Sequence, residues 1–243
     1  MRERLLSAAT EAPTRRGTIS IDLVLLTPGR KQLVVLLERV PASLAGGRDE
    51  WSLPFHVPDA VDDVLDALAV RLARDLVESE PTWLRQVRAS SGAGHPAGVD
   101  VSVGYVGVMP ASYATPVGAD GGWFPLTDLP PLAAGHAELV QEALDVIRMG
   151  VDYEPIAFRL LPATFTLSEL QQVYELLLAR KLHKASFRRA LQAAWLVEPT
   201  DEWRSEGRGR PAQLFRFAPR KRRSQHRGVR FDLLAGRQYG RAR

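Results

Sequence analysis

Apolar and polar positions change period several times along the chain, and those changes mark the elements. Ile19-Ser20-Ile21-Asp22-Leu23-Val24-Leu25-Leu26 and Gln32-Leu33-Val34-Val35-Leu36-Leu37-Glu38 are β-rich apolar runs separated by the turn chemistry of Thr27-Pro28-Gly29-Arg30. They predict a hairpin or two neighbouring buried strands. A short strand is expected over Trp51–Val57, after a loop at 41–50 loosened by Gly46-Gly47. Over Ala60–Ser79 the period lengthens: Val61, Val64, Leu65, Leu68, Leu72 and Leu76 fall on one face of a helix. Asp59 suits its N-cap, and Asp62 and Asp63 suit the positive end of its dipole. Strands resume at Trp83–Ala89 and Val99–Met109 around the turn-rich stretch Ser90–Gly98, Leu126–Leu132 reads as a loop, and His136–Met149 is helical again.

Beyond Pro162 the grammar is different. Thr166-Leu167-Ser168-Glu169 has the form of a capping box, opening a helix whose inner face would be Leu170, Val173, Tyr174, Leu177 and Leu178. A second helix is expected from about Ser186 to Ala194. Strands at Leu196–Pro199 and Gln213–Phe217 would flank the basic, Gly-rich tip Gly207-Arg208-Gly209-Arg210-Pro211. Two helices followed by such a hairpin are the pattern of a winged helix-turn-helix. Trp195 and Trp203 are expected to pack in the core and at the base of the wing. The first 18 residues and residues 219–243 show no sustained period and read as an arm and a basic tail.

Charge sharpens this division. The 243 residues carry a net +4, but residues 1–164 hold 14 Lys/Arg against 21 Asp/Glu. Residues 165–218 hold 9 against 6, and residues 219–243 hold 9 against 1. The acidic front and basic rear imply modules with different partners, the rear being the one suited to polyanions. A composition of 45% apolar and 25% charged residues is that of a globular chain. No apolar run is long enough to span a membrane, and no leader is evident, so a cytoplasmic protein is expected. With no Cys and five scattered His, neither a disulfide framework nor a Cys-ligated metal is expected.

The rear residues supply DNA-reading chemistry directly. Lys184, Ser186, Arg188 and Arg189 would lie on the exposed N-terminal turns of the second helix, with Phe187 and Leu191 facing inward. Arg208 and Arg210 on the hairpin tip can enter a minor groove or follow the phosphate backbone. The alternative is a solvated basic face. Arg220-Lys221-Arg222-Arg223 would add non-specific phosphate affinity or none.

Residues 19–149 resemble a Nudix domain: two strands, a loop, Trp51-Ser52-Leu53-Pro54, then an amphipathic helix. In the Nudix box G-x5-E-x7-R-E-U-x-E-E-x-G-U, glutamates on one helix face hold divalent cations on a diphosphate. Here the glycine position is His56 and the first glutamate is Asp62. The Arg-Glu pair is Val70-Arg71, Leu72 keeps the aliphatic position, and the metal-binding pair is Arg74-Asp75. Farther along, Gly135–Leu144, Tyr153–Pro162, Phe165–Gln171, Ser186–Arg189 and Gly207–Ala212 resemble the NrtR regulators, and the likeness covers about residues 19–218.

That resemblance implies a fold and a function. The fold class is α+β: a Nudix-like α/β/α sandwich (19–149), a linker (150–162) and a winged helix-turn-helix (163–218). The function is that of a transcriptional regulator, a repressor of NAD biosynthesis or salvage genes, whose homodimer binds a palindromic operator on double-stranded DNA. Its inactive Nudix-like domain would sense a NAD-derived metabolite such as ADP-ribose, with Arg39, His56, Arg71 and Arg74 as candidate phosphate contacts. No catalytic residue, metal or cofactor is expected. The segment Gly94–Val99 lacks the Asp and Arg residues the family carries there. Two other classes stay open: a metal-dependent nucleoside diphosphate hydrolase, and a front domain serving dimerisation alone.

Overall fold

A computed structural model of the chain describes residues 17–40, 42–45, 50–59, 64–113, 120–205 and 211–218. Residues 1–16 of the arm, Asp62, Arg208, Arg210 and the tail lie outside the described residues.

The front part is built on β1 (Ile19–Pro28), whose residues 19–26 pair in parallel with the whole of β6 (Val101–Val108). β5 (Trp83–Ser91) runs antiparallel beside β6. The other edge of β1 is shared between β4 (Phe55–His56) and β2 (Leu33–Arg39). β2 in turn holds β3 (Trp51–Ser52) and β7 (Gly121–Pro125). A short helix α1 (Ala42–Ala45) precedes β3.

Strand alternation decides which face each residue serves. Ile21, Leu23 and Leu25 meet Leu68, Ala69, Ala73 and Val77 of α2 (Leu65–Val77). Val24 and Leu26 turn the other way, to Leu139, Val140, Ala143 and Ile147 of α3 (His136–Gly150). With both faces covered, β1 loses the polar alternation of a half-solvated strand, which is why it reads as a continuous apolar run. Gly104 lets α3 sit close on β6, since a Cβ there would lie 2.4 Å from Leu139 Cδ1.

The second core is continuous with the first. Residues 150–162 are not a loose spacer: Val151, Ile156, Ala157, Phe158 and Leu160 are buried, in part on the short helix α4 (Ile156–Arg159). Phe158 contacts the rings of Phe165, Tyr174 and Phe217. α5 (Leu167–Leu178) and α6 (Lys184–Ala194) follow, covered by a three-stranded sheet in the order β8 (Thr164–Phe165), β10 (Ala212–Phe217), β9 (Val197–Arg204). The architecture is therefore an α/β/α sandwich followed by a winged helix-turn-helix.

Several expectations need correction. α2 starts at Leu65 with Val64, not Asp59, at its N-cap, and Val64 is 73% exposed rather than part of the core face. The strand expected over Trp51–Val57 is split at Leu53-Pro54, because proline has no N–H to give to a ladder. β7, with the turn-like sequence Gly-Gly-Trp-Phe-Pro, and the two-residue β8 exist only through long-range pairing. Leu178 is half-buried and packs at the edge of the core. Trp195 and Trp203 are 49% and 58% exposed: Trp195 occupies the left-handed cap of α6, and Trp203 points out from β9.

Candidate functional site

The helix-turn-helix is held by two glutamates. Glu169 completes the capping box, accepting from Thr166 N–H at 2.7 Å while Thr166 Oγ1 accepts from Glu169 N–H at 3.1 Å. Both Glu169 oxygens also take Arg204 at 2.9 and 3.0 Å. A bidentate pair is directional as well as charged, so it fixes the base of the wing against the start of α5. Glu175 organises the turn between the helices, accepting from Lys181 Nζ (2.7 Å), Leu182 N–H (3.0 Å) and Gln171 Nε2 (3.0 Å). Burial raises the Glu175 pKa, but these donors outweigh it and hold the carboxyl below its usual range.

On α6, Phe187 and Leu191 are buried against the α5 side of the core. Lys184, Arg188 and Arg189 are exposed, with Arg188 and Arg189 straddling the outward face. Ser186 is half-buried, its hydroxyl 3.4 Å from His183 Nδ1. Three exposed cations thus lie on the first turns of α6, with the half-buried Ser186 hydroxyl beside them.

The four proposed phosphate contacts are spread over three elements. Arg39, at the end of β2, lies over the Trp51 ring at 4.6 Å. His56 is exposed on β4. Arg71 and Arg74 are exposed on α2, and Arg74 is ion-paired with Glu80. Asp75 beside it is exposed as well, and Val70 is half-buried. A divalent cation needs several hard anionic oxygens on one face. Here the described box positions offer Asp75 next to an arginine, so these residues do not fit a magnesium centre.

A second cluster escaped sequence reasoning. Asp22 is fully buried on the α3 face of β1. It accepts from His95 Nε2 (3.1 Å), Ser20 Oγ (2.5 Å) and Ser102 Oγ, and His136 Nε2 lies 3.7 Å from its Oδ2. Burial alone would raise its pKa, but the His95, Ser102 and Ser20 donors prevail and hold it below the usual carboxylate range. Asp22, His95 and His136 lie close enough for a metal triad. Their hydrogen bonds argue otherwise. His136 Nδ1 accepts from Leu53 N–H at 3.0 Å and His95 Nδ1 from Ala97 N–H at 3.1 Å. Each proton therefore sits on Nε2, the atom a metal would need. Ligation there would turn each Nδ1–H against a backbone N–H. The cluster is a tautomer-locked hydrogen-bond network joining β1, β6 and the β5–β6 loop, beside which His136, at the start of α3, is bonded to Leu53 N–H with its Nε2 3.7 Å from Asp22. Its one sequence signal was an acid inside an apolar strand.

The family described as the NrtR DNA-binding winged helix domain matches residues 157–217. The ADPR responsive transcriptional repressor NtrR of Acinetobacter baylyi is 30% identical over 207 residues, 82% of this chain and 82% of that protein. Shewanella oneidensis NrtR, crystallised with a 27mer DNA, matches with a TM-score of 0.70 and 29% identity, covering 83% of this chain and 94% of that one. A MutT/nudix family protein from Enterococcus faecalis shares the fold, with a TM-score of 0.67 and 18% identity over 89% of this chain and 98% of that one.

Proposed function

The chain belongs to the NrtR family of transcriptional regulators, and from that premise we propose that it is an ADP-ribose-responsive repressor of NAD biosynthesis or salvage genes. The carrying observation is α6: Lys184, Arg188 and Arg189 are exposed on a helix whose preceding turn is held by Glu175. Arginine can be bidentate to guanine or can clamp phosphate, and the paired half-sites of a palindrome would take two such helices from a homodimer. Arg208 and Arg210 add wing contacts in this reading. The protein acts in the cytoplasm, where its DNA is; among the described residues no helix is long and apolar enough to cross a membrane.

The front domain acts as a sensor and not as a hydrolase, because Arg74 stands where a metal-binding carboxylate is needed and is already paired with Glu80. Arg39, His56, Arg71 and Arg74 supply the ligand's phosphate contacts. Signalling requires that ligand favour one arrangement of the recognition helices over another. The buried connector at 150–162 supplies the path, since Phe158 packs directly on Phe165 and Tyr174. Titration of an operator complex with ADP-ribose, NAD and nicotinamide nucleotides tests the reading. Weakened operator binding with ADP-ribose supports it. Equal affinity for operator and scrambled duplex refutes the regulator. Unchanged DNA affinity and unchanged melting temperature with every nucleotide refute the sensor and leave a dimerisation scaffold.

A further inference from the structure

An open groove of about 860 Å3 lies where the sandwich meets the winged helix, and none of the four proposed effector contacts lines it. Its floor is apolar, including Leu33, Leu144 and Leu176, and its walls are cationic. Arg30 and Lys31 come from the β1–β2 turn, Arg148 from α3, and Arg180 and Lys181 from the α5–α6 turn. Glu175 is the acid in the lining, and it is already committed to Lys181, Leu182 and Gln171. Arg148 pairs with Asp145 outside the groove. Arg30, Lys31 and Arg180 are exposed and have no carboxylate partner among the described residues.

This placement runs against the background charge. Residues 1–164 carry 21 acids against 14 basic residues, yet the turn that this part presents to the winged helix is Gly29-Arg30-Lys31. The turn is held tightly, with Gly29 N–H donating to Gln32 C=O at 2.8 Å. A Cβ at Gly29 would come 2.8 Å from that same oxygen, so glycine is needed there. Gln172 of α5 then donates to Arg30 C=O at 3.4 Å, tying the turn to the helix-turn-helix. Like charges brought together from two domains repel unless an anion sits between them.

We propose that the groove is an anion site of its own, shared by the two domains, and that it takes a nucleoside phosphate. The base lies on the leucine floor, and the phosphates meet Arg30, Lys31 and Arg180. Concavity favours this occupant over the DNA backbone: small-ligand sites are concave and mostly apolar with a few placed charges, and this volume is in their range. The ligand bridges the front domain to the turn that aims α6, so its occupancy stiffens the setting of the recognition helix. The site stands apart from the effector reading and does not depend on it.

The test uses the full-length protein, with ADP and inorganic pyrophosphate as probes in calorimetric titration at moderate salt. ADP should bind saturably, and the double variant Arg30→Glu/Arg180→Glu should weaken it at least tenfold. Arg71→Ala/Arg74→Ala should leave that binding in place. The milder variant Lys31→Gln, with an unchanged melting temperature, should weaken ADP severalfold and so separate charge from folding. Three results overturn the proposal. One is ADP affinity indifferent to the groove variants, and a second is ADP affinity lost in Arg71→Ala/Arg74→Ala alone. The third is groove variants that only flatten the salt dependence of operator binding, which makes the groove a DNA phosphate contact. Operator binding by the wild type is read separately, so failure here leaves the regulator reading standing.

Discussion

Acid should destabilise this protein well above the carboxylate range, and His136 is the reason. Burial pushes its imidazole down to about 4 from an ordinary 6.5; the Asp22 charge opposes that shift and does not cancel it. The locked tautomer explains why the folded state resists the proton: Nδ1 already accepts from Leu53 N–H. Below pH 6.5 the unfolded chain takes up a proton there that the folded chain refuses until about pH 4. Stability is therefore full above 6.5 and falls with pH through that window, by about 1.4 kcal/mol per unit. At pH 5 the loss is about 2 kcal/mol, a large share of a typical domain's stability. Asp22, held below its usual range, adds a loss only in more acidic solution. Urea unfolding at pH 7, 6 and 5 measures the effect, with His136→Asn as the comparison. Asparagine keeps an acceptor near Leu53 N–H but has nothing to titrate. It should cost about 1–2 kcal/mol at pH 7, for the lost ring packing, and should flatten the pH dependence between 6.5 and 5. Other titrating groups, Glu38 included, are common to both proteins and cancel in the difference. An equal loss of stability in the variant over that interval would refute the reasoning.

Four further outcomes follow from the same structure. Arg189→Ala should weaken operator binding by about 1–3 kcal/mol and narrow the gap to scrambled duplex if that side chain reads a base, as measured by gel shift or anisotropy at fixed salt. Incubation with ADP-ribose and magnesium or manganese should release no ribose phosphate, and metal-dependent turnover that vanishes in Asp75→Ala would contradict this. Thr166→Ala should lower stability by about 1 kcal/mol through the lost cap of α5, visible in denaturant midpoints and accompanied by looser wing packing, since Glu169 also holds Arg204. Gly104→Val should cost about 1–3 kcal/mol through overpacking against Leu139, readable as a lower melting temperature with operator specificity retained.

Local rules were enough for much of this molecule. The capping box at Thr166 and Glu169 was legible because both of its hydrogen bonds span three residues, and the structure makes both. The inward pair Phe187 and Leu191 and the outward Lys184, Arg188 and Arg189 follow from helical period alone. Local rules failed where a partner lies far along the chain. β7 reads as a turn until β2 pairs with it, and Trp203 looks like core until β9 turns it to solvent. Asp59 has good cap chemistry, but α2 starts six residues later, at Leu65.

The sequence by itself determined the two-part organisation, the apolar strands, the amphipathic helices and the basic face of α6. Each rests on periodicity or on charges close together in the chain, and those survive any tertiary arrangement. Only the tertiary structure decided that Val151, Ile156, Ala157, Phe158 and Leu160 are core, that Asp22, His95 and His136 are buried side by side across 114 residues of chain, and that Arg30 and Arg180 line one groove. Each of these depends on which faces of β1, α3 and α5 meet. Contacts between residues far apart in the chain form only when the sheet pairs and the helices dock, and no local period encodes them.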